Sequence, residues 1–107
     1  MIYSARKAVT THGTPVPLLA STVDHIVRMA GWCTVCADTA NAGVVYVGGT
    51  NTRNSTDNAG AYIGHPLAAG EFVNLREMGG PSYIDLALIY VDANSSADAV
   101  TFNWGTR

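Results

Sequence analysis

Charge is scarce in this chain. Only 13% of its 107 residues are Asp, Glu, Lys or Arg, about half the share usual for a soluble domain, and Lys7 is the single lysine. The net charge is −2 and the pI about 5.8. The one adjacent basic pair is Arg6–Lys7, so no patch exists to neutralise a run of phosphates, and nucleic acid is not an expected partner. Long apolar runs are missing too. None approaches the ~18 residues needed to cross a bilayer, so no membrane partner is expected. The opening MIYSARKAV lacks the apolar stretch of a secretory leader, which places the expected site of synthesis in a cytoplasm. Two cysteines are too few for a disulfide framework or a four-cysteine zinc site. P-loop, dinucleotide and G-x-S-x-G fingerprints are all lacking.

The residues that could carry chemistry are few and scattered. Cys33-Thr-Val-Cys36 has C-x-x-C spacing, but a redox dithiol needs its first cysteine at a helix N-terminus. Here it lies in a β-rich run, where residues three apart point to opposite faces. Neither a disulfide nor a metal site is expected of the pair. His12, His25 and His65 share no ligand spacing, and the eight carboxylates offer no acid–base pair. Asp24 and the adjacent His25 would point to opposite faces of a strand. No catalytic residue and no cofactor are expected. Asn54-Ser-Thr56 and Asn94-Ser-Ser96 match the glycosylation sequon, a triplet that polar loops produce by chance.

The regular pattern is that of short strands. Alternation over 21–29 predicts a strand, with a helix as the alternative because Val23, Ile26, Val27 and Ala30 also fit helical spacing. Further strands are expected at Trp32–Ala37, Val44–Val47, Phe72–Arg76, Tyr83–Asp92 and Ala99–Trp104. Turn clusters separate them at Asp38–Gly43, at Glu77–Ser82 with its Gly79-Gly80-Pro81, and at the NSSAD segment 94–98. The expected core is Val35, Val45, Val47, Val73, Leu75, Ile84, Leu86, Leu88 and Phe102. Residues 1–19, with Pro15 and Pro17, read as an extended N-terminal arm. The fold expected is all-β: a single antiparallel β-sandwich over 20–107, jelly-roll-like, preceded by that arm.

One couplet is distinctive. Gly43–Gly49 reads GVVYVGG, a polar loop (TNTRNSTDNAGAYIGH) follows, and Pro66–Glu71 reads PLAAGE. Leu88-Ile89-Tyr90-Val91 comes later. This succession resembles a recurrent small β-domain of tailed-bacteriophage virions, over roughly Pro15 to Trp104. The motifs are structural and contain no reactive group. Two departures stand out: a longer loop between the first two motifs, and an insertion at Gly79–Ser82.

The resemblance implies a virion structural protein, in first place a capsid decoration (cement) protein. Such a chain would bind between major capsid subunits, assemble as a homotrimer and lie on the capsid surface, having been put together in the host bacterial cytoplasm. A tail or adaptor component is the alternative within virions. Contacts to the capsid or to neighbouring subunits are expected from Arg6, Lys7, Pro15, Pro17, Arg53 and Tyr62. A different class remains open, a carbohydrate-binding module, if Trp32, Trp104, Tyr46, Tyr62, Tyr83 and Tyr90 build a sugar platform rather than fill a core. Of these only Tyr62 lies in a clearly polar loop.

Overall fold

A computed structural model describes residues 1–76 and 83–106. Its strands are β1 (Ile2–Ala8), β2 (Val16–Pro17), β3 (Met29–Ala37), β4 (Val45–Gly48), β5 (His65–Leu67), β6 (Phe72–Arg76), β7 (Ile84–Asp85), β8 (Tyr90–Ala93) and β9 (Ala99–Thr106). One sheet has the order β1-β9-β3-β6, with β7 also paired to β3, and the other has the order β2-β8-β4-β5. Every pairing is antiparallel. The ladders are nested: β1 with β9, β2 with β8, β3 with β6, β4 with β5. A chain folded back on itself as one long hairpin and then rolled gives that order, which is the jelly-roll winding of an all-β sandwich.

The core lies between the sheets. Val35, Val100 and Phe102 from the first sheet meet Val45, Val47, Val91 and Leu67 from the second, all of them buried. Strand β3 reaches its length through a bulge: Ala30 pairs with Thr106 and Trp32 with Gly105, leaving Gly31 as the extra residue. Without that insertion Ala30 and Cys33, three apart, would face opposite ways; with it both are buried. Both edge strands of the second sheet carry proline, Pro17 in β2 and Pro66 in β5. Proline is tolerated there because the outer N–H of an edge strand has no ladder to join, and it discourages pairing with another chain.

Four expectations need correction. Residues 1–19 are not an arm. Strand β1 pairs with β9 along all seven residues, from Ile2↔Gly105 to Ala8↔Ala99, and Val9 and Leu18 are buried in the core. Secondly, 21–29 is not a strand. Asp24 accepts the Ile26 N–H (2.9 Å) and caps a single helical turn, α1 (His25–Arg28), which hands over directly to β3.

Thirdly, Tyr83–Asp92 is not one strand. The Asp85 carboxylate accepts the Ala87 N–H (3.0 Å) and Leu88 N–H bonds back to the Asp85 carbonyl (2.9 Å), a turn that carries the chain from one sheet to the other. The turn inverts the alternation, so Leu88 is 57% exposed and Val91 is buried instead. Finally, Val73 and Leu75 pack against the core but stay half-buried. Of the other expected core residues, Val35, Val45, Val47, Ile84, Leu86 and Phe102 are buried. The expected loop at Glu77–Ser82 lies outside the described residues.

The two outer faces of the sandwich differ. In the second sheet Tyr46 is cross-strand partner of Pro66 on one side and of Asp92 on the other, so the three share the outer face. Yet Tyr46 and Asp92 are buried. The segment 49–64 covers them. Its two legs meet at the neck, where a Cβ on Gly48 would lie 2.8 Å from Thr52 Oγ1 and 3.3 Å from the Gly64 Cα, so the close approach requires glycine. Among the described residues, no segment covers the outer face of the first sheet in this way.

Candidate functional site

The covering loop, read from the sequence as polar, is partly buried. It brings a polar core of its own. Asn54 and Thr52 are buried, and Asn54 Nδ2 donates to Asp57 (2.7 Å) and to the Ala93 carbonyl (2.8 Å), while its Oδ1 accepts the Asp57 N–H (2.7 Å). Beneath it the Asp92 carboxylate accepts three backbone N–H groups, from Gly13 (3.0 Å), Asn54 (3.0 Å) and Ala93 (2.8 Å). Beside it Asn94 Oδ1 accepts the N–H groups of Ser55 (3.2 Å) and Thr56 (3.1 Å), and its Nδ2 donates to the Tyr46 hydroxyl (3.2 Å). No buried side-chain polar atom among the described residues lacks a partner. Both sequon asparagines are therefore structural: their amides hold the loop to β8. The sequence offers a faint sign of this, since Asn54, Asp57, Asp92 and Asn94 are the residue types that bond back to the main chain.

A polar, open cavity of about 410 Å³ lies between this loop and the β1–β2 connection. Of the expected contact residues, Pro15 and Arg53 line it, with Asp57 and Asp92. Tyr62 lies in the same loop, 49% exposed, its ring 5.0 Å from that of Tyr46. Pro17 sits in β2 opposite Tyr90. Arg6 and Lys7 are elsewhere, on β1 in the other sheet, and Arg6 is held by Asp38 (2.8 Å). The structure thus brings Pro15 and Arg53 together on one cavity and leaves the β1 pair apart from them.

His12 and Asp57 form an ion pair at the rim, Nδ1 to Oδ2 2.7 Å. The hydrogen bond to Asp57 raises the His12 pKa, and the same bond, with a second from Asn54, lowers that of Asp57. The His12 Nε2 has no partner among the described residues. The Ser96 hydroxyl is bonded to the His12 backbone N–H (3.2 Å), not to the ring, and among the described residues no hydroxyl is bonded to the ring. Its effect is on the loop. His12, with a raised pKa, contributes in full below the ordinary histidine value and ceases to as pH climbs through the folded value. Asp57, with a lowered pKa, contributes above the ordinary carboxylate value and ceases to as pH falls through the folded one. The pair is fully formed between about pH 4 and 6.5. The melting-temperature difference between the native chain and His12→Ala is expected to be largest in that window and to shrink on both sides. A difference that stays flat from pH 4 to 9 would contradict it.

The outer face of the first sheet is laid out in rows by the strand register. Ile2, Gly105, Trp32 and Arg76 are successive cross-strand partners. The next row is Ser4, Asn103, Thr34 and Asn74, and beyond it come Arg6, Thr101, Cys36 and Phe72. Of the aromatic residues weighed as a sugar platform, Trp104 and Tyr46 are buried, while Trp32 is 37% exposed on this face. Sequence reading missed that exposure, because it depends on Gly105, a residue distant in the chain that lies beneath the ring.

Cys33 faces the core, and burial pushes its thiol pKa up to about 12, so it is no nucleophile at neutral pH. Cys36, half-buried, is on the open face, and both thiols are free. Under native conditions an alkylating reagent is expected to label Cys36 first, and both only after denaturation, read by intact mass. Equal labelling rates would show the β3 facing to be wrong. Among the described residues no group of three His, Cys, Asp or Glu gathers to hold a metal ion. No helix there is long and apolar enough to cross a membrane. Compared with models of protein families, with curated proteins and with solved structures, the chain matches none.

Proposed function

We propose that this chain is a structural protein of a tailed-bacteriophage virion, a capsid decoration protein that binds between major capsid subunits as a homotrimer. One observation carries the reading. The three motif segments that resemble virion β-domains, though far apart in sequence, form one continuous unit of three adjacent strands. In the VYVGG strand, Tyr46 is paired with Pro66 of the PLAAGE segment on one side, and Val47 and Gly48 are paired with Val91 and Tyr90 of the third motif on the other. The couplet is thus the sequence of a single hydrogen-bonded module, as expected of a shared structural part. Jelly-roll sandwiches recur among capsid proteins, though they serve other functions as well.

Two further features support a docked life. Charge is low for a chain that must stay dispersed alone, and Met1, Ile26 and Leu88 are strongly exposed apolar groups. Arg53 and Pro15, on the polar cavity, remain candidates for the capsid contact, with Tyr62 beside them. Arg6 is a weaker candidate, because its guanidinium already holds Asp38.

Gel filtration with light scattering, followed by sedimentation with emptied capsids of the encoding phage, tests this. Trimers that cosediment in a saturable ratio, and antibody label over the heads of intact virions, are the expected results. Label confined to tails would move the chain to the tail or adaptor class. A monomer absent from virions would overturn the reading.

A further inference from the structure

We propose that the open face of the five-stranded sheet is a carbohydrate-binding platform centred on Trp32, taking a short stretch of an oligosaccharide. This goes beyond the virion assignment and does not rest on it.

A sugar ring presents one or two faces of C–H groups, rimmed by hydroxyls that both donate and accept. A site for it needs a flat aromatic surface and, next to it, planar polar groups fixed in place. Trp32 supplies the first. A Cβ added at Gly105 would lie 2.7 Å from the indole Cε2 and 3.1 Å from Cζ2, closer still to Nε1. The ring therefore lies down over the backbone of β9, with one side on the sheet and the other open to solvent. Only glycine at 105 leaves it that room.

The adjacent row supplies the second requirement. Ser4 Oγ donates to Asn103 Oδ1 (2.5 Å) and Thr34 Oγ1 donates to Asn74 Oδ1 (2.6 Å). Each bond orients a carboxamide by its oxygen and leaves its Nδ2 group, two N–H donors, with no partner among the described residues. Asn103 and Asn74 flank Thr34 across the sheet, so their Cα atoms are about 10 Å apart at ordinary strand spacing, and Thr34 is about 7 Å along β3 from Trp32. A ring stacked on the indole thus has its hydroxyl rim over two oriented amides. Arg76, the direct cross-strand neighbour of Trp32, has no ion-pair partner among the described residues. It favours sugars that carry a carboxylate.

A rival use of this face is contact with a second copy of the chain. The centre of the face is Ser, Asn, Thr and Asn, with Ile2 and Phe72 at opposite corners. The core of a subunit interface is more apolar than that.

The test is direct titration with hexasaccharides of glucose, of N-acetylglucosamine, of mannose and of a uronic acid, followed by calorimetry and by intrinsic fluorescence. Of the two tryptophans, Trp104 is buried with its indole N–H on the Val27 carbonyl (2.7 Å), so ligand-induced change reports on Trp32. At least one of the four probes is expected to bind with a submillimolar Kd, the uronic acid most sensitively to salt. Trp32→Ala should weaken that binding about tenfold or more, Trp32→Tyr should retain most of it, and Asn74→Ala should weaken it with the melting temperature unchanged. The proposal fails if none of the four binds, or if Trp32→Ala binds as well as the native chain. It also fails if Trp32→Ala turns an oligomer into monomers, which would make the face a subunit interface.

Discussion

A chain that begins at Ala20 is expected to lose cooperative unfolding altogether. Deleting residues 1–19 removes β1, which pairs with β9 over seven residues, and so exposes the backbone of a strand otherwise hydrogen-bonded on both sides. It also removes Val9 and Leu18, both buried in the core, and the Tyr3 ring stacked on Trp104 at 5.3 Å. The Leu18 N–H to Ile89 carbonyl bond (2.9 Å), which holds the start of the second sheet, goes with them. Burying one Val or Leu side chain is worth about 1.5–3 kcal/mol. Two such residues, an aromatic stack and a full ladder together approach the ~5–15 kcal/mol that stabilises a whole domain. Thermal melts followed by circular dichroism check this. A truncated chain with a sharp transition within a few degrees of the native one would show that the segment is dispensable, as the extended arm suggested by the sequence would be.

That suggestion had a physical cause. An edge strand needs only one inward face, and in β1 that face is Tyr3, Ala5 and Lys7, none of them fully buried; the alternation is too weak to read. The strands that could be read directly, around Val45–Val47, Phe72–Arg76 and Phe102–Trp104, have strongly apolar or aromatic inward positions. Tyr83–Asp92 failed for the opposite reason. Its alternation is strong, but Asp85 bends the chain between sheets midway, and periodicity cannot see a side chain that bonds the main chain two residues on. The candidate surface was half legible. Alternation along the expected strand Trp32–Ala37 puts Trp32 on the face opposite its neighbour Cys33, where it is, but its exposure depends on Gly105 lying under the ring. The loop's anchors, Asn54 and Asp92, carried no signal beyond their residue type.

The second large effect concerns those anchors. Asp92→Ala is expected to destabilise the chain by about 3–5 kcal/mol, more than a surface carboxylate ever does. The carboxylate is 1% exposed, and the three N–H groups it accepts come from three places: the β1–β2 connection at Gly13, the covering loop at Asn54, and β8 itself at Ala93. Alanine leaves all three donors without their acceptor: those of Asn54 and Ala93 are buried and cost about 1–3 kcal/mol each, while that of Gly13, exposed on the open cavity, can turn to water. Asp92→Asn separates charge and shape from acceptor count. An amide keeps one oxygen, which can serve Gly13 and Ala93 together, since both bond the same oxygen. Its NH₂ must then face the Asn54 N–H, donor against donor, so Asn is expected to recover only part of the loss. Asn54→Ala should reproduce much of the effect on the loop alone. Because Asn54 ties the loop to Asp57 and the Ala93 carbonyl rather than joining the two sheets, the sandwich should keep its melt while hydrogen exchange over 50–64 quickens. If Asp92→Ala melted within about a degree of the native chain, the polar layer over the second sheet would be ornament to the fold. The loop would then have to be held by the Tyr46–Tyr62 contact instead.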